Sequence, residues 1–178
     1  AWELSPDAAE ARPIPIEADG GGSVLSLAFA PGGETLAAGD GLGGVRLWEI
    51  PAGRGKAAVA PGRGRASHVA VSADERALLQ VGDGGEALVW EFGEGRGARR
   101  VPGDGFQPAG AFLPDGSLAL IDADGRVVVH DRETLARRDL KFEQPPREDG
   151  AGPSGWGFHR LAVAADGRIA AASPDANC

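Results

Sequence analysis

Gly39, Gly41 and Gly44 fall at the spacing of a dinucleotide-phosphate loop. Such a loop works only where a helix follows, because the free amides of the helix N-terminus meet the pyrophosphate. Residues 45–50 read as a short strand bounded by turn residues, not a helix, so these glycines read as hairpin turns. Asp122 and Asp124, with Glu133 eleven positions after Asp122, imitate the ends of a calcium loop. A true loop also needs an oxygen ligand at its fifth position and a glycine at its sixth, where Arg126 and Val127 stand. His68 and His159 open equivalent segments and could share a metal ion. No cysteine lies beside them, and no carboxylate spacing completes a ligand set. Ser154 lacks the strand–turn–helix setting of a nucleophile elbow. No catalytic residue, cofactor or metal site is expected, and the chain reads as a non-enzyme.

Binding chemistry is better represented. The acids Asp40, Asp83, Asp122, Asp124 and Asp175 stand in predicted turns that should share one face, where they could attract a cation or a basic peptide. Asp also suits such turns for purely local reasons. Arg54, Lys56, Arg63 and Arg65 form a basic stretch without acids. It lacks the interleaved aromatics of a nucleic-acid module. The net charge of −8 also argues against a general polyanion binder. Nucleic acid is therefore not the expected partner, and an RNA surface on residues 54–65 is the minor alternative. Residues 143–157 lengthen one connection and end near Trp156, a plausible aromatic contact on a rigid frame. The candidate partner-binding residues are Asp40, Arg63, Arg65, Asp83, Phe106, Asp122 and Trp156, since aromatics and arginines make good anchors.

These residues sit on a repeating frame. Val24-Leu25-Ser26-Leu27-Ala28-Phe29-Ala30-Pro31-Gly32-Gly33, then Leu36-Ala37-Ala38-Gly39, then Val45-Arg46-Leu47-Trp48-Glu49, recurs in outline from His68 and from Ala111 and begins again at Leu161. Trp2, Trp48, Trp90 and His130 fall 46, 42 and 40 residues apart. A period near this length, filled with short strands and turns, marks a propeller or similar array. Each copy should be a four-stranded antiparallel meander, with the blades at 24–60, 67–102 and 108–142. Residues 1–17 and 158–178 should be partial blades, complementary halves of a fourth, so 1–178 forms one propeller or part of one. The 29 glycines and 13 prolines are then periodic punctuation rather than low complexity.

The phrase and its closing Trp-Glu pairs resemble the WD-repeat β-propeller family over nearly the whole chain. The resemblance implies an all-β fold of four-stranded blades and a non-catalytic scaffold that binds proteins or peptides through its loop face. Its polar hydrogen-bond chain should be largely missing. The aspartate six residues before the tryptophan is matched only at Asp124, with Leu42 and Gly84 elsewhere, and His130 replaces a tryptophan. Apolar packing between blades should therefore hold most of the fold. The family usually has seven blades, roughly 290 residues at this period. The chain is accordingly expected to be part of a longer array, with a closed four-blade ring or a two-chain, eight-blade ring as alternatives. Open blade edges would favour self-association. An Ala/Gly/Arg-rich version like this resembles the docking half of a bacterial multidomain protein. An enzyme using the central channel is the competing class, but the channel-lining strands carry mainly Ser, Ala, Val and Leu. The single cysteine precludes an internal disulfide and fits a reducing compartment. With no leader and no apolar run of membrane length, the expectation is a soluble cytoplasmic protein with no membrane partner.

Overall fold

The computed structural model describes residues 2–4, 11–13, 22–50, 52–59, 64–92, 97–103, 105–140 and 160–172 of the 178-residue chain. Every regular element among them is a strand. Strands β1 (Trp2–Leu4) and β2 (Ala11–Pro13) form a two-stranded sheet. Three four-stranded antiparallel meanders follow. The first is β3 (Val24–Phe29), β4 (Thr35–Asp40), β5 (Val45–Glu49) and β6 (Arg54–Val59). The second is β7 (Ala66–Val71), β8 (Ala77–Gly82), β9 (Ala87–Glu91) and β10 (Ala98–Arg100). The third is β11 (Gly110–Phe112), β12 (Leu118–Ile121), β13 (Val127–His130) and β14 (Arg137–Asp139). A final hairpin, β15 (Arg160–Val163) with β16 (Ile169–Ala172), forms its own sheet. The fold is an all-β propeller arc of three complete blades flanked by two half-blades. Among the described residues the two half-blades remain separate sheets.

Alternating side chains bury both faces of the second and third sheets and most of the first, whose β3 keeps Leu27 and Phe29 exposed, and this stacks the sheets into layers. Between the first and second sheets, Ala37, Val45 and Leu47 meet Val69, Val71 and Leu78. Leu79, Val81 and Val89 face Leu118, Leu120 and Val128 in the next layer. Ile121 and Val127 then pack against Leu161 and Ile169 of the last hairpin. Burying one such side chain contributes roughly 1.5–3 kcal/mol. The expected apolar packing between blades is therefore present in every layer.

The innermost strands also bond across blades. Ser26 and His68 each follow a bulge in the first strand of their sheet. Ser26 donates its hydroxyl to the Ala66 carbonyl at 2.9 Å, and His68 Nε2 donates to the Gly110 carbonyl at 2.6 Å. Burial pushes the His68 imidazole below its ordinary value, with a push in the same direction from Arg160 and only partial opposition from the Gly110 bond. A neutral ring whose Nε2 proton is committed to a carbonyl is a structural link. His159 lies outside the described residues.

Candidate functional site

The arc has two ends. The loop end carries the β4–β5, β8–β9 and β12–β13 turns and the links between sheets. The turn end carries the reversals joining the first strand to the second and the third to the fourth.

At the loop end the turn acids share a level but serve different tasks. Asp40 accepts the Leu42 and Gly44 amides at 2.8 and 2.9 Å. Asp122 accepts those of Asp124 and Arg126 at 3.1 and 2.9 Å and an Arg137 guanidinium at 3.0 Å. Both carboxylates are buried and tie down their own turns, the local role of Asp in such loops. Gly82 takes the corresponding place in the second sheet, and Asp83, one residue on, accepts the Arg65 amide at 3.0 Å. Asp83 and Arg65 are both exposed and lie 3.7 Å apart. Asp124 is exposed beside Arg126. Arg63, Trp156, Ser154 and Asp175 lie outside the described residues.

Phe106 corrects an expectation. Placed by sequence on the loop face as an anchor, it is only 3% exposed and belongs to the core layer between the second and third sheets. Its amide donates to the Gly85 carbonyl at 3.0 Å, which folds the β10–β11 link inward. Its ring then meets His130 edge-on at 6.0 Å.

The repeat positions hold a polar link that the sequence did not indicate. Trp48 is buried with Leu36 and Ala38, and His130 is fully buried, donating from Nδ1 to the Leu135 carbonyl at 3.1 Å. Only the backbone of Trp2 is described; it pairs with Pro13. Trp90 donates to Gln80 Oε1 at 3.2 Å, and Gln80 Nε2 donates to the Gly43 carbonyl of the first sheet at 3.0 Å. A polar chain therefore does cross one blade interface, built on a glutamine. Gln80→Leu keeps the volume but orphans the buried Gly43 carbonyl and the half-buried Trp90 indole N–H, a loss of about 1–3 kcal/mol. Urea unfolding followed by tryptophan fluorescence checks it, and an unchanged midpoint would count against this link.

Two polar clasps close the turn end. Glu75 adopts φ 53°, where Gly33, Gly116 and Gly167 take φ 76°, 84° and 86° in the other sheets. Holding a non-glycine there costs about 1 kcal/mol. Its carboxylate accepts the Thr35 hydroxyl of the first sheet at 2.6 Å and Lys56 at 3.1 Å. Those two bonds hold its carboxyl below the usual range. The second clasp centres on Glu91, whose side chain is only 4% exposed. Glu91 accepts Arg132 from the third sheet through two bonds, at 3.0 and 3.3 Å, and Arg99 at 3.3 Å. Arg132 continues to Asp74 at 3.0 Å, and Arg99 also donates to the Arg132 and Glu133 carbonyls.

Partial burial pulls the Asp74 carboxyl upward, but the Ser72 hydroxyl, the Arg76 amide and Arg132 outweigh it and hold it down to about 2. The unfolded value is about 3.9. A depressed folded value adds stability above the unfolded value, and that stability is lost as pH falls from about 4 through 2. Because the group is largely exposed, screening limits the gain to no more than about 1 kcal/mol. Asp74→Asn is therefore expected to flatten the acid limb of a stability-versus-pH curve measured in urea between pH 5 and 2.

Beside this clasp lies a cleft of about 380 Å³ between the second and third sheets. It is lined by residues 72–74, 113–117 and 131–133, with Asp115, Asp131 and Glu133 on its rim. Arg132 is drawn inward by Glu91 and Asp74, which leaves the opening acidic. Sequence reasoning missed this feature because its three segments come from different turns. Among the described residues no cluster of three or more metal-ligating side chains occurs. No described helix is long and apolar enough to cross a membrane.

No protein-family profile and no curated protein matches the chain. Solved structures do. The chain is similar to the Myceliophteria thermophila Cps50 (Swd1) β-propeller domain, at 15% identity and a TM-score of 0.67, covering 85% of this chain and 49% of that one. It is similar to Kuenenia stuttgartiensis hydrazine synthase at 15% identity and a TM-score of 0.64, over 83% of this chain and 41% of that one. The RRP9 WD40 repeats align at 16% identity and a TM-score of 0.58, over 68% of this chain and 39% of that one. The chain thus spans about half or less of the length of these structures. The fold is that of the WD40 β-propellers.

Proposed function

We propose that this arc of WD-repeat type blades is a non-catalytic scaffold that holds a partner protein by a basic segment laid across the turn end. The observation that carries this reading is the cleft of about 380 Å³ between two rigid blades. That volume suits a side chain or two of an extended peptide. Asp115, Asp131 and Glu133 would receive a lysine or arginine, while the Glu91 clasp keeps Arg132 from competing. The fold does not exclude an enzyme, since one similar structure is a hydrazine synthase and fold does not fix function. Support for a scaffold comes from the side chains: His68 is spent on Gly110, and Ser72 on Asp74 and the Ala77 amide.

Selecting a displayed random-peptide library against the chain tests the proposal. Recovered peptides are expected to be rich in Lys or Arg, and Asp115→Lys with Glu133→Lys should weaken their binding at least tenfold. If binding instead falls with Arg65→Glu and Asp83→Lys, the partner sits at the loop end and the cleft assignment is wrong. Recovery of no binder, together with turnover in a hydrolase panel, would overturn the scaffold reading itself.

A further inference from the structure

Glu75 and Gly116 take the same place in consecutive turns. Each donates its amide to the carbonyl three residues back, that of Ser72 or Leu113, and each has a positive φ. At the interface between the first two sheets, the Glu75 side chain crosses to Thr35 and Lys56 and bridges the turn end. At the next interface Gly116 has no side chain to do so. A Cβ there would meet only Arg132 Nη1, 4.0 Å away. The cation that answers Glu75 is also diverted. Lys56 follows Gly55, the partner of Trp48, as Arg99 follows Ala98, the partner of Trp90. Arg99 turns instead to Glu91 and to the carbonyls of Arg132 and Glu133. Gly116 therefore lines an open cleft of about 380 Å³, set between two complete four-stranded sheets.

The oxygens on the rim favour one kind of cation. Asp115 spends Oδ1 on the Ser117 amide. Asp131 spends Oδ1 on the Glu133 and Thr134 amides and on the Thr134 hydroxyl. Among the described residues, the second oxygen of each accepts no hydrogen bond. A guanidinium is a rigid fork that matches both oxygens of one carboxylate, whereas an ammonium turns its three donors to single oxygens. Both habits occur at this end of the chain. Arg132 takes both oxygens of Glu91 and both of Asp74. Lys56 takes one oxygen of Glu75 and the Thr35 hydroxyl. Two half-spent aspartates suit the second habit. Given that the cleft holds a basic segment, as its proposed function requires, we propose that the residue it selects is a lysine entering over Gly116. Its stem would lie along Leu113 and Pro114, with its ammonium among the Asp115, Asp131 and Glu133 oxygens. Acetylation of that lysine would remove the charge and release the partner.

Titration of the 178-residue chain at low salt, followed by amide nuclear magnetic resonance shifts, tests this with end-blocked tetralysine, tetra-arginine and Nε-acetylated tetralysine. Tetralysine is expected to shift the Gly116, Ser117 and Glu133 amides and to bind roughly fivefold more tightly than tetra-arginine. The acetylated peptide should shift none of them. Gly116→Gln has the length of Glu75 without its charge and should weaken tetralysine binding about tenfold by filling the entry. Gly116→Ala strains the backbone alike but is too short to fill the cleft, so binding should stay within about twofold. Tetralysine and tetra-arginine binding equally at these amides overturns the lysine assignment while the basic-segment reading stands. Binding that Gly116→Gln leaves unchanged, or that Gly116→Ala weakens as much, overturns entry over Gly116. If neither basic peptide shifts these amides, the lysine site and the basic-segment reading fall together. The comparison of peptides is made on the unaltered chain, so it decides even where Gly116→Gln does not fold.

Discussion

Glu91→Ala is expected to destabilise the chain by about 3–5 kcal/mol, among the largest effects of any single side-chain truncation here. The carboxylate is nearly inaccessible and receives two arginines from adjacent elements. Removing it leaves Arg132 facing only Asp74 and Arg99 only the Arg132 and Glu133 carbonyls, and a half-buried guanidinium loses more than a surface one. Glu91→Gln should recover part of the loss, since an amide oxygen still accepts one bond but carries no charge. The double variant Glu91→Leu with Arg132→Met should be less destabilised than Glu91→Ala alone, because it removes both charges and restores apolar volume. Urea unfolding of the wild type and these three variants gives the ranking. A Glu91→Ala loss below about 1 kcal/mol would mean that the clasp behaves as an ordinary surface pair.

The clasp also marks the limit of what could be read from the chain. Strands were legible because short apolar runs such as Ala87–Trp90 are bracketed by turn residues, and turns because Asp and Gly recur at fixed offsets. Relations between blades were hidden. Glu91 and Arg132 are a full repeat apart, as are Thr35 and Glu75, and nothing local predicts which charge meets which. Gln80 was missed because the family resemblance directed attention to the aspartate near each tryptophan, whereas the glutamine reaches the tryptophan from the adjacent strand. Phe106 read as an exposed loop residue because Gly103 and Gly105 surround it. Those glycines are what let the link fold inward. Asp40, Asp122 and Asp83 fall in the β4–β5, β12–β13 and β8–β9 turns, but burial, which no turn motif encodes, separates the capping acids from the exposed one. The cleft was illegible for the same reason as the clasp: its walls come from three turns of two blades.

Gly85→Ala is expected to cost about 2–4 kcal/mol, from two sources that add. Gly85 adopts φ 76°, where a side chain is strained by about 1 kcal/mol or more. A Cβ there would also stand 2.5 Å from the Gly105 Cα and 2.8 Å from its nitrogen. Those atoms are backbone and cannot rotate aside, so the β10–β11 link must move, at an overpacking cost of about 1–3 kcal/mol. That link carries Phe106 into the core, so displacement should open the Phe106–His130 contact as well. Gly84→Ala is the matched control, because a Cβ at Gly84 meets nothing within 4 Å; its effect should stay within about 0.5 kcal/mol. Amide exchange separates local from global damage: the Phe106 amide, bonded to the Gly85 carbonyl, should lose more protection than amides of β4 in the first sheet. Equal losses at both sites would show that the β10–β11 link is not the element that yields. A Gly85→Ala chain as stable as the Gly84→Ala control would show that the two backbones do not approach as closely as they stand here.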